Sequence, residues 1–206
     1  MTAGPRVVLA SNNAKKLAEL RRILEPLVPG VEVLGLADFP AYDEPAETEP
    51  TFEGNALIKA RACLAVTGLP SLADDSGLCV DALNGMPGVL SARWSGVPKS
   101  EGGDAANNRL LLSQLSEVPA ERRTAQFRCV MALCTPDGAE IVQAGEMAGR
   151  VLAAEHGGGG FGYDPLFAAD GHDVSTAELP PAEKDRISHR GKALVAMAPA
   201  IVAALV

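Results

Sequence analysis

The sequence predicts an α/β protein, because short apolar runs typical of buried strands alternate with segments whose apolar residues recur at helical spacing. Residues 6–10 form the first such run, and a helical segment follows to about residue 28. Further along, residues 124–134 and 140–152 are longer strand candidates that flank a Thr-Pro-Asp-Gly turn signal, so we expect them to pair as a hairpin. The length of 206 residues suits one large domain or two small lobes.

The composition is that of a soluble globular protein, with 47% apolar and 21% charged residues. The formal net charge of −8 argues against a nucleic-acid polymer as a partner, although a small anion could still bind at a local basic cluster. The four cysteines lack a metal-binding spacing and indicate core thiols in a reducing cytosol, with no metal or disulfide role. We find no apolar stretch long enough for a signal peptide or a membrane span, so we expect a cytoplasmic protein without a membrane partner.

The first strand leads through a turn into the N-terminus of the first helix, where free backbone N–H groups and the helix dipole favour a bound anion. Two lysines stand in the first turn, although the dipole alone would favour acids there, which suggests that an external anion offsets them. The alternative is an ordinary capped helix with solvated lysines. The residues of this candidate anion site are Ser11, Asn12, Asn13, Ala14, Lys15 and Lys16.

A second strand candidate, residues 31–36, precedes an acidic, proline-bearing loop that contains Glu47. Taken alone, such a loop is typical of a solvated surface. Thr51 is a good N-cap for the next helix, which we expect to reach about residue 67 and to bury one apolar stripe.

A third apolar run ends in Asp74 and Asp75, which predicts a buried strand whose carboxylates emerge at its end. On a regular strand the two side chains would point to opposite faces. They can therefore serve one site only where the strand breaks, and Ser76 and Gly77 predict such a break. Paired carboxylates at a strand end suit a hard cation such as Mg²⁺, which takes oxygen ligands. The alternative is a solvated turn with two acids.

Four consecutive glycines, residues 157–160, precede Phe161, Gly162, Tyr163 and Asp164. Glycine lets the backbone approach a ligand closely, and an aromatic pair beside it can stack on a flat base. The alternative is a flexible loop whose aromatic side chains pack into the core.

The last helix of the chain has a candidate cap in Ser188, which would place His189 and Arg190 in its first turn. This is a second case of cations beside a helix N-terminus. Between the third strand and the hairpin, residues 81–95 read as a loop and residues 101–115 as a helix.

The candidate residues fall into two chemical sets, hard oxygen ligands and cations, and a complex of Mg²⁺ with a triphosphate requires both. The aromatic pair adds a surface for a base, so the sequence predicts a nucleoside triphosphate site. The oxygen ligands are Glu47, Asp74 and Asp75, and the cations are Lys15, Lys16, Lys184, His189 and Arg190.

Several motifs in this chain occur in order over nearly its whole length. With them, the sequence resembles the inosine/xanthosine triphosphate pyrophosphatase family, the non-canonical purine nucleoside triphosphate pyrophosphatases. The motifs are LASNN from Leu9, TFEGNALIKA from Thr51, ADDSGL from Ala73, PGVLSAR from Pro87, GFGYDP from Gly160, AEL from Ala177 and ISHRG from Ile187.

The resemblance implies a mixed α/β fold in which helices flank an elongated, strongly twisted mixed sheet. It implies a single domain over residues 1–206, with two lobes and an active-site cleft between them. It further implies a homodimer that hydrolyses ITP, dITP and XTP to the monophosphate and pyrophosphate, a reaction that cleanses the nucleotide pool.

The resemblance also implies residue roles. Ser11 to Lys16 would hold the phosphates, and Glu47 and Asp75 would bind Mg²⁺, with Asp75 also acting as the proton acceptor. One departure from the family pattern is Gly54, where many members have Glu; the acid stands one place earlier and leaves a metal role for this helix open. The remaining nucleotide contacts would come from Ser76, Phe161, Gly162, Tyr163, Asp164, Lys184, His189 and Arg190.

Two alternative functions remain to be distinguished from this one. Structurally similar proteins act on pyrimidine or modified nucleotides, although the motifs around Phe161 and His189 favour a purine. A non-catalytic nucleotide-binding module is the other alternative, although binding alone does not need a poised carboxylate base.

Overall fold

The computed structural model describes residues 4–205 of the chain, apart from the side chain of Lys15. Six strands and five α-helices lie within the described residues. The strands are β1 Arg6–Leu9, β2 Glu32–Gly35, β3 Ser71–Val80, β4 Thr124–Cys134, β5 Glu140–Val151 and β6 Phe167–Ala169. The helices are α1 Ala14–Leu24, α2 Phe52–Thr67, α3 Gly103–Gln114, α4 Pro181–Ile187 and α5 His189–Leu205.

The six strands form one mixed sheet in the order β2-β1-β3-β4-β5-β6. Strand β1 pairs in parallel with both β2 and β3, whereas β5 and β6 pair antiparallel. Parallel neighbours need a crossover connection, and α1 and α2 supply the two crossovers that join β1, β2 and β3. The chain is therefore the mixed α/β protein that the sequence predicts.

The chain divides into two compact units. Unit 1 comprises the described residues up to Asp75, Cys129–Gly145, and the described residues from Lys192 onward. Its core packs α1 and α5 against the sheet, as in the contacts among Leu20, Leu72 and Met197, all of which are almost completely buried. The apolar stripe of α5 thus has its place inside unit 1.

Unit 2 comprises Ser76–Arg128 and Glu146–Gly191. Its core includes Leu78, Leu111 and Leu166, which are completely buried. The rings of Phe127 and Phe167 meet edge to face there, with centroids 4.8 Å apart and planes at 68°. This geometry is one that aromatic pairs prefer.

Most of the predicted elements are confirmed. Thr51 caps α2 by accepting a hydrogen bond from the backbone N–H of Gly54 at 3.1 Å. The backbone N–H of Gly138 donates to Thr135 O at 2.9 Å in the turn between β4 and β5, which are neighbours in the sheet. Strand β6 and helix α4 were not predicted, and the predicted loop over residues 81–95 contains short 3-10 turns.

Two predicted boundaries are wrong. Helix α1 ends at Leu24, four residues before the predicted end. Strand β3 runs without interruption through Ser76 and Gly77, where a break was predicted. A Cβ at Gly77 would overlap Gly88 O and Ser91 Oγ, so the glycine permits a close approach between segments and does not make a turn.

The four cysteines carry free thiols, and three of them, Cys63, Cys129 and Cys134, are buried, as predicted for core thiols. Among residues 4–205, we find no helix with the length and hydropathy that a membrane span requires.

Candidate active site

In unit 1, Lys16 and Asp74 form a close ion pair. The Nζ atom of Lys16 lies 2.7 and 2.8 Å from the two carboxylate oxygens of Asp74. The Asp74 side chain is only 3% exposed, whereas that of Lys16 is 21% exposed. The pair therefore fixes the α1 lysine beside the end of the apolar part of β3.

The turn before α1 is held by its own polar side chains. The backbone N–H of Asn13 donates to Ser11 Oγ at 3.1 Å, and the backbone N–H of Lys16 donates to Asn13 Oδ1 at 3.4 Å. Asn12 Nδ2 lies 3.4 Å from Glu44 Oε1. Ala14 is the first residue of α1, as the predicted anion site requires. The side chain of Lys15, another predicted member, lies outside the described part of the chain.

Asp75 has different partners from Asp74. Its Oδ2 atom accepts a hydrogen bond from Asn55 Nδ2 at 3.1 Å, and its Oδ1 atom lies 3.5 Å from Lys59 Nζ. The same lysine donates to Glu47 Oε1 at 2.9 Å. Lys59 thus joins the two predicted metal ligands, Glu47 and Asp75, in one cluster.

Burial and charge act in opposite directions in this cluster. Burial raises the pKa of the Asp75 carboxyl above its usual value, although the positive charge of Lys59 opposes this shift. For Lys59, burial lowers the pKa, but the charges of Asp75 and Glu47 more than offset it, so the pKa lies above the usual value. The lysine is therefore a stable cation, and Asp75 is a more basic carboxylate than a solvated aspartate.

The donor set fits Mg²⁺. Glu47 and Asp75 are hard oxygen donors that already share one positive charge, the ammonium of Lys59. No group of three potential ligands from His, Cys, Asp and Glu occurs in the described part of the chain. Mg²⁺ does not need one, because it commonly binds through one or two carboxylates together with substrate phosphates and water.

Helix α2 supplies Asn55 and Lys59, two candidates that sequence reasoning missed. They are four residues apart and so lie on one face of the helix, which was the available signal. Asn55 also accepts a hydrogen bond from the backbone N–H of Glu49 at 2.9 Å. A Cβ at Gly54 would overlap the Glu49 side chain at 2.5 Å, so the glycine allows the preceding loop to pack closely on α2.

In unit 2, Phe161 presents a half-exposed ring, 50% accessible, to solvent. Three cations lie close to the ring centroid: the Nζ atoms of Lys99 and Lys184 at 5.9 Å each and the guanidinium carbon of Arg190 at 5.8 Å. Phe161, Lys184 and Arg190 were predicted site residues. Lys99 was not, and only the tertiary structure brings it here.

The carboxylate of Asp164, a predicted site residue, is buried and accepts several hydrogen bonds. Its Oδ2 atom accepts the backbone N–H of Phe161 at 2.8 Å and the ammonium of Lys184 at 2.5 Å, and its Oδ1 atom accepts the hydroxyl of Thr176 at 3.0 Å. A Cβ at Gly160 would overlap the Asp164 carboxylate and Lys184 Nζ. The end of the glycine run therefore allows the carboxylate to reach the Phe161 backbone and hold the loop.

Helix α3 holds the same loop from another side. Asp104 Oδ2 accepts the backbone N–H of Gly162 at 3.2 Å, and Asn108 Nδ2 donates to the Gly162 carbonyl at 3.2 Å. Gly162 has a φ of +59°, which glycine adopts without strain. Asp104 and Asn108, four residues apart on α3, are further residues that sequence reasoning missed.

The prediction that both aromatic residues offer a surface for a base is wrong for Tyr163. Its side chain is 4% exposed and packs in the unit 2 core, and its hydroxyl donates to Ser91 O at 2.9 Å. Burial raises the pKa of the Tyr163 phenol, so this hydroxyl stays a donor. Phe161 is the aromatic residue of the pair with an available face.

The N-terminus of α5 agrees with the prediction. Ser188 Oγ accepts the backbone N–H of Gly191 at 2.9 Å and so caps the helix. His189 stacks on Phe127 with ring centroids 5.0 Å apart and planes 14° from parallel. Arg190 donates to Ser76 Oγ at 3.4 Å. Arg190 thus contacts Ser76 and lies, together with Lys184, near the ring of Phe161.

The sequence profile of the Ham1 family matches residues 7–200 of the chain. A dITP/XTP pyrophosphatase of Nocardia farcinica is 61% identical over 199 residues, covering 96% of this chain and 95% of the relative. One from Frankia alni is 58% identical over 192 residues, covering 91% and 93% of the two chains.

Solved structures are also similar. A HAM1 protein from Coxiella burnetii has a TM-score of 0.87 at 40% identity, over 97% of this chain and all of the other. A Mycobacterium abscessus structure described as a nucleoside-triphosphatase, dITP/XTP pyrophosphatase, has a TM-score of 0.79 at 55% identity, over 94% and 99% of the two chains.

Proposed function

The chain belongs to the Ham1 family, and on that premise we propose that it hydrolyses the non-canonical purine nucleotides ITP, dITP and XTP to the monophosphate and pyrophosphate. The observation that carries the proposal is the buried Asp75 carboxylate, bound to Asn55 and beside Lys59, in a chain 61% identical to a dITP/XTP pyrophosphatase. A carboxylate made more basic by burial is suited to accept a proton.

The phosphates of the substrate would be held at the start of α1. Backbone N–H groups there and the charge of Lys16 suit a polyanion. The contact of Lys16 with Asp74 keeps the ammonium in place before substrate arrives, which lowers the entropy lost on binding. The proposed phosphate-binding residues are Ser11, Asn12, Asn13, Ala14, Lys15 and Lys16.

Glu47 and Asp75 would hold Mg²⁺. When bound, the ion would supply positive charge that stabilises the phosphate oxygens and makes a nearby water more acidic. Asp75 would accept the proton of the water that attacks the α-phosphorus, and the hydrogen bond from Asn55 fixes the orientation of that carboxylate. Lys59 would offset one of the two carboxylate charges until the metal and substrate bind.

The purine would stack on Phe161, with the charged groups of unit 2 near its polar edge. Asp164 would hold the loop, because its carboxylate is already occupied by the backbone of Phe161 and by Lys184. Gly162 and Tyr163 would contribute their backbone, since the Tyr163 side chain is buried. The remaining proposed nucleotide contacts are Ser76, Lys184, His189 and Arg190.

The family resemblance also supports three further parts of the proposal. We propose that residues 1–206 act as a single functional domain, that the enzyme works as a homodimer, and that it acts in the cytoplasm. Size measurement in solution at several protein concentrations tests the dimer. A monomer that retains full turnover would contradict it.

A nucleotide panel with Mg²⁺ tests the activity, scored for pyrophosphate and for orthophosphate. We expect pyrophosphate from ITP, dITP and XTP, and little from ATP or GTP. Preferred turnover of pyrimidine or methylated nucleotides would favour the related pyrophosphatases, and binding without turnover would favour a non-catalytic module.

Replacing the proposed base tests the mechanism. Asp75→Asn should lower kcat by about 10²–10⁴-fold or more while the protein stays folded by circular dichroism. Asp43→Asn makes the same chemical change on the exposed acidic loop and should leave kcat unchanged. A folded Asp75→Asn enzyme with normal kcat would show that Asp75 is not the proton acceptor.

A further inference from the structure

The exposed ring of Phe161 has an unusual number of positive groups around it. Lys99, Lys184 and Arg190 all lie within 5.9 Å of its centroid. A cation at this distance from an aromatic face gains a modest attraction to the ring. Three of them also repel one another, so the arrangement is best suited to a ligand that brings negative charge to this place.

Two of these cations already have polar partners. Lys184 is paired with the buried Asp164 carboxylate at 2.5 Å, and Arg190 donates to Ser76 Oγ at 3.4 Å. For Lys99, the described residues provide no carboxylate within 4.0 Å of its ammonium. Of the three cations, Lys99 is therefore the one best able to interact with a ligand.

The backbone of Lys99 is fixed although its side chain is exposed. The residue begins a 3-10 turn, Lys99–Glu101, that directly precedes α3. Pro98 O accepts the backbone N–H groups of Glu101 at 2.9 Å and of Gly103 at 3.1 Å. Helix α3 in turn holds the Phe161 loop through Asp104. The lysine is thus anchored next to the ring, while its four-carbon side chain can move aside for a base.

A purine stacked on Phe161 would occupy the space over one ring face and leave the surrounding cations at its edges. The non-canonical purines differ in charge at that edge. Xanthine has two carbonyl oxygens on the ring and loses a ring N–H proton near neutral pH, whereas hypoxanthine has one carbonyl oxygen and stays neutral. A lysine at the edge therefore attracts xanthine more strongly than hypoxanthine.

We propose that Lys99 is a further substrate-binding residue, which contacts the oxygen-bearing edge of a purine stacked on Phe161 and favours xanthine over hypoxanthine. This inference rests on the proposed function, because it assumes that the purine stacks on Phe161. It assigns a specific part of substrate selection to a residue outside the predicted site.

The test compares kcat/KM for XTP and ITP in Lys99→Gln, Lys99→Arg and the unaltered enzyme. A partly exposed charge pair contributes enough to shift the XTP-to-ITP ratio about two- to fivefold. We expect Lys99→Gln to lower the ratio by that factor and Lys99→Arg to preserve it. Arg122→Gln removes the same charge from an exposed position in unit 2 and should leave the ratio unchanged.

Binding of the products XMP and IMP gives a second readout that does not depend on turnover. Lys99→Gln should weaken XMP binding more than IMP binding, and the difference should shrink as the pH falls and xanthine regains its proton. If Lys99→Gln weakens the binding of XMP and IMP equally, or changes neither affinity, Lys99 does not discriminate between the two bases and the inference is wrong. Failure of the unaltered enzyme to hydrolyse either triphosphate would instead overturn the proposed function.

Discussion

The ion pair between Lys16 and Asp74 predicts an asymmetric response to mutation. Lys16→Met removes the ammonium that contacts both oxygens of a carboxylate whose side chain is 3% exposed. Breaking a buried ion pair from one side costs about 3–5 kcal/mol, and because Lys16 is partly exposed we expect the lower end, about 3 kcal/mol. Asp74→Asn should cost only about 1 kcal/mol, since the 21% exposed lysine can turn its charge into water.

Urea unfolding of the metal-free protein measures both changes without involving phosphate binding. Lys16→Arg, which keeps the charge, should recover most of the loss. The double variant, Lys16→Met with Asp74→Asn, should be more stable than Lys16→Met alone, because the buried carboxylate that lost its ammonium contact is no longer charged. If Asp74→Asn proves more destabilising than Lys16→Met, the carboxylate is not the group that depends on its partner, and the reasoning from burial fails.

Three further outcomes follow from local contacts. Gly54→Ala should lower the free energy of unfolding by about 1–2 kcal/mol, because the added Cβ would overlap the Glu49 side chain. This cost should exceed the benefit of alanine's better helix propensity. Thermal or urea unfolding measures the change, and a gain in stability would contradict the reasoning. Tyr163→Phe should cost about 0.5–1.5 kcal/mol, because it removes one hydrogen bond to the Ser91 carbonyl, which still accepts Asn107 Nδ2 at 3.2 Å, and kcat/KM for ITP should stay unchanged; a large loss of activity would instead indicate a direct role for the ring. The hydrogen bond to Glu183 raises the pKa of His172. The pair therefore stabilises the fold below about pH 6.5, and this stabilisation is lost as the pH rises through the raised pKa of the folded state. His172→Gln should lower the melting temperature only on the acid side of that pKa, and an equal loss at alkaline pH would contradict the linkage.

The elements predicted well are those whose signals are local. Thr51 caps α2 through its own side chain, and the turn after Thr135 is specified by four consecutive residues. The predicted break at Gly77 failed because the reason for that glycine is tertiary. Gly88 and Ser91 approach its backbone from another segment, and one sequence carries no mark of such an approach.

The candidate site shows the same limit. Glu47 and Asp75 could be selected from ligand chemistry alone, but their connection through Lys59 depends on which face α2 turns toward β3. Tyr163 looked equivalent to Phe161, because alternation along an irregular loop does not say which ring faces the core. Lys99 could not be identified from spacing, since the chain between it and Phe161 includes α3 and two strands.

The neighbouring acids of β3 have distinct tasks because the strand does not break. An uninterrupted strand sends consecutive side chains to opposite faces. Asp74 accordingly binds the lysine of α1, whereas Asp75 binds Asn55 and approaches Lys59 on α2. The predicted strand break, which would have allowed both acids to serve one metal, is wrong, and the two acids contact different residues of unit 1. Asp74 acts on the proposed phosphate site by fixing Lys16, whereas Asp75 contacts Asn55 and Lys59 in the cluster proposed to hold the metal and supply the base. A loss of activity in Asp74→Asn should accordingly appear mainly in KM, and one in Asp75→Asn mainly in kcat.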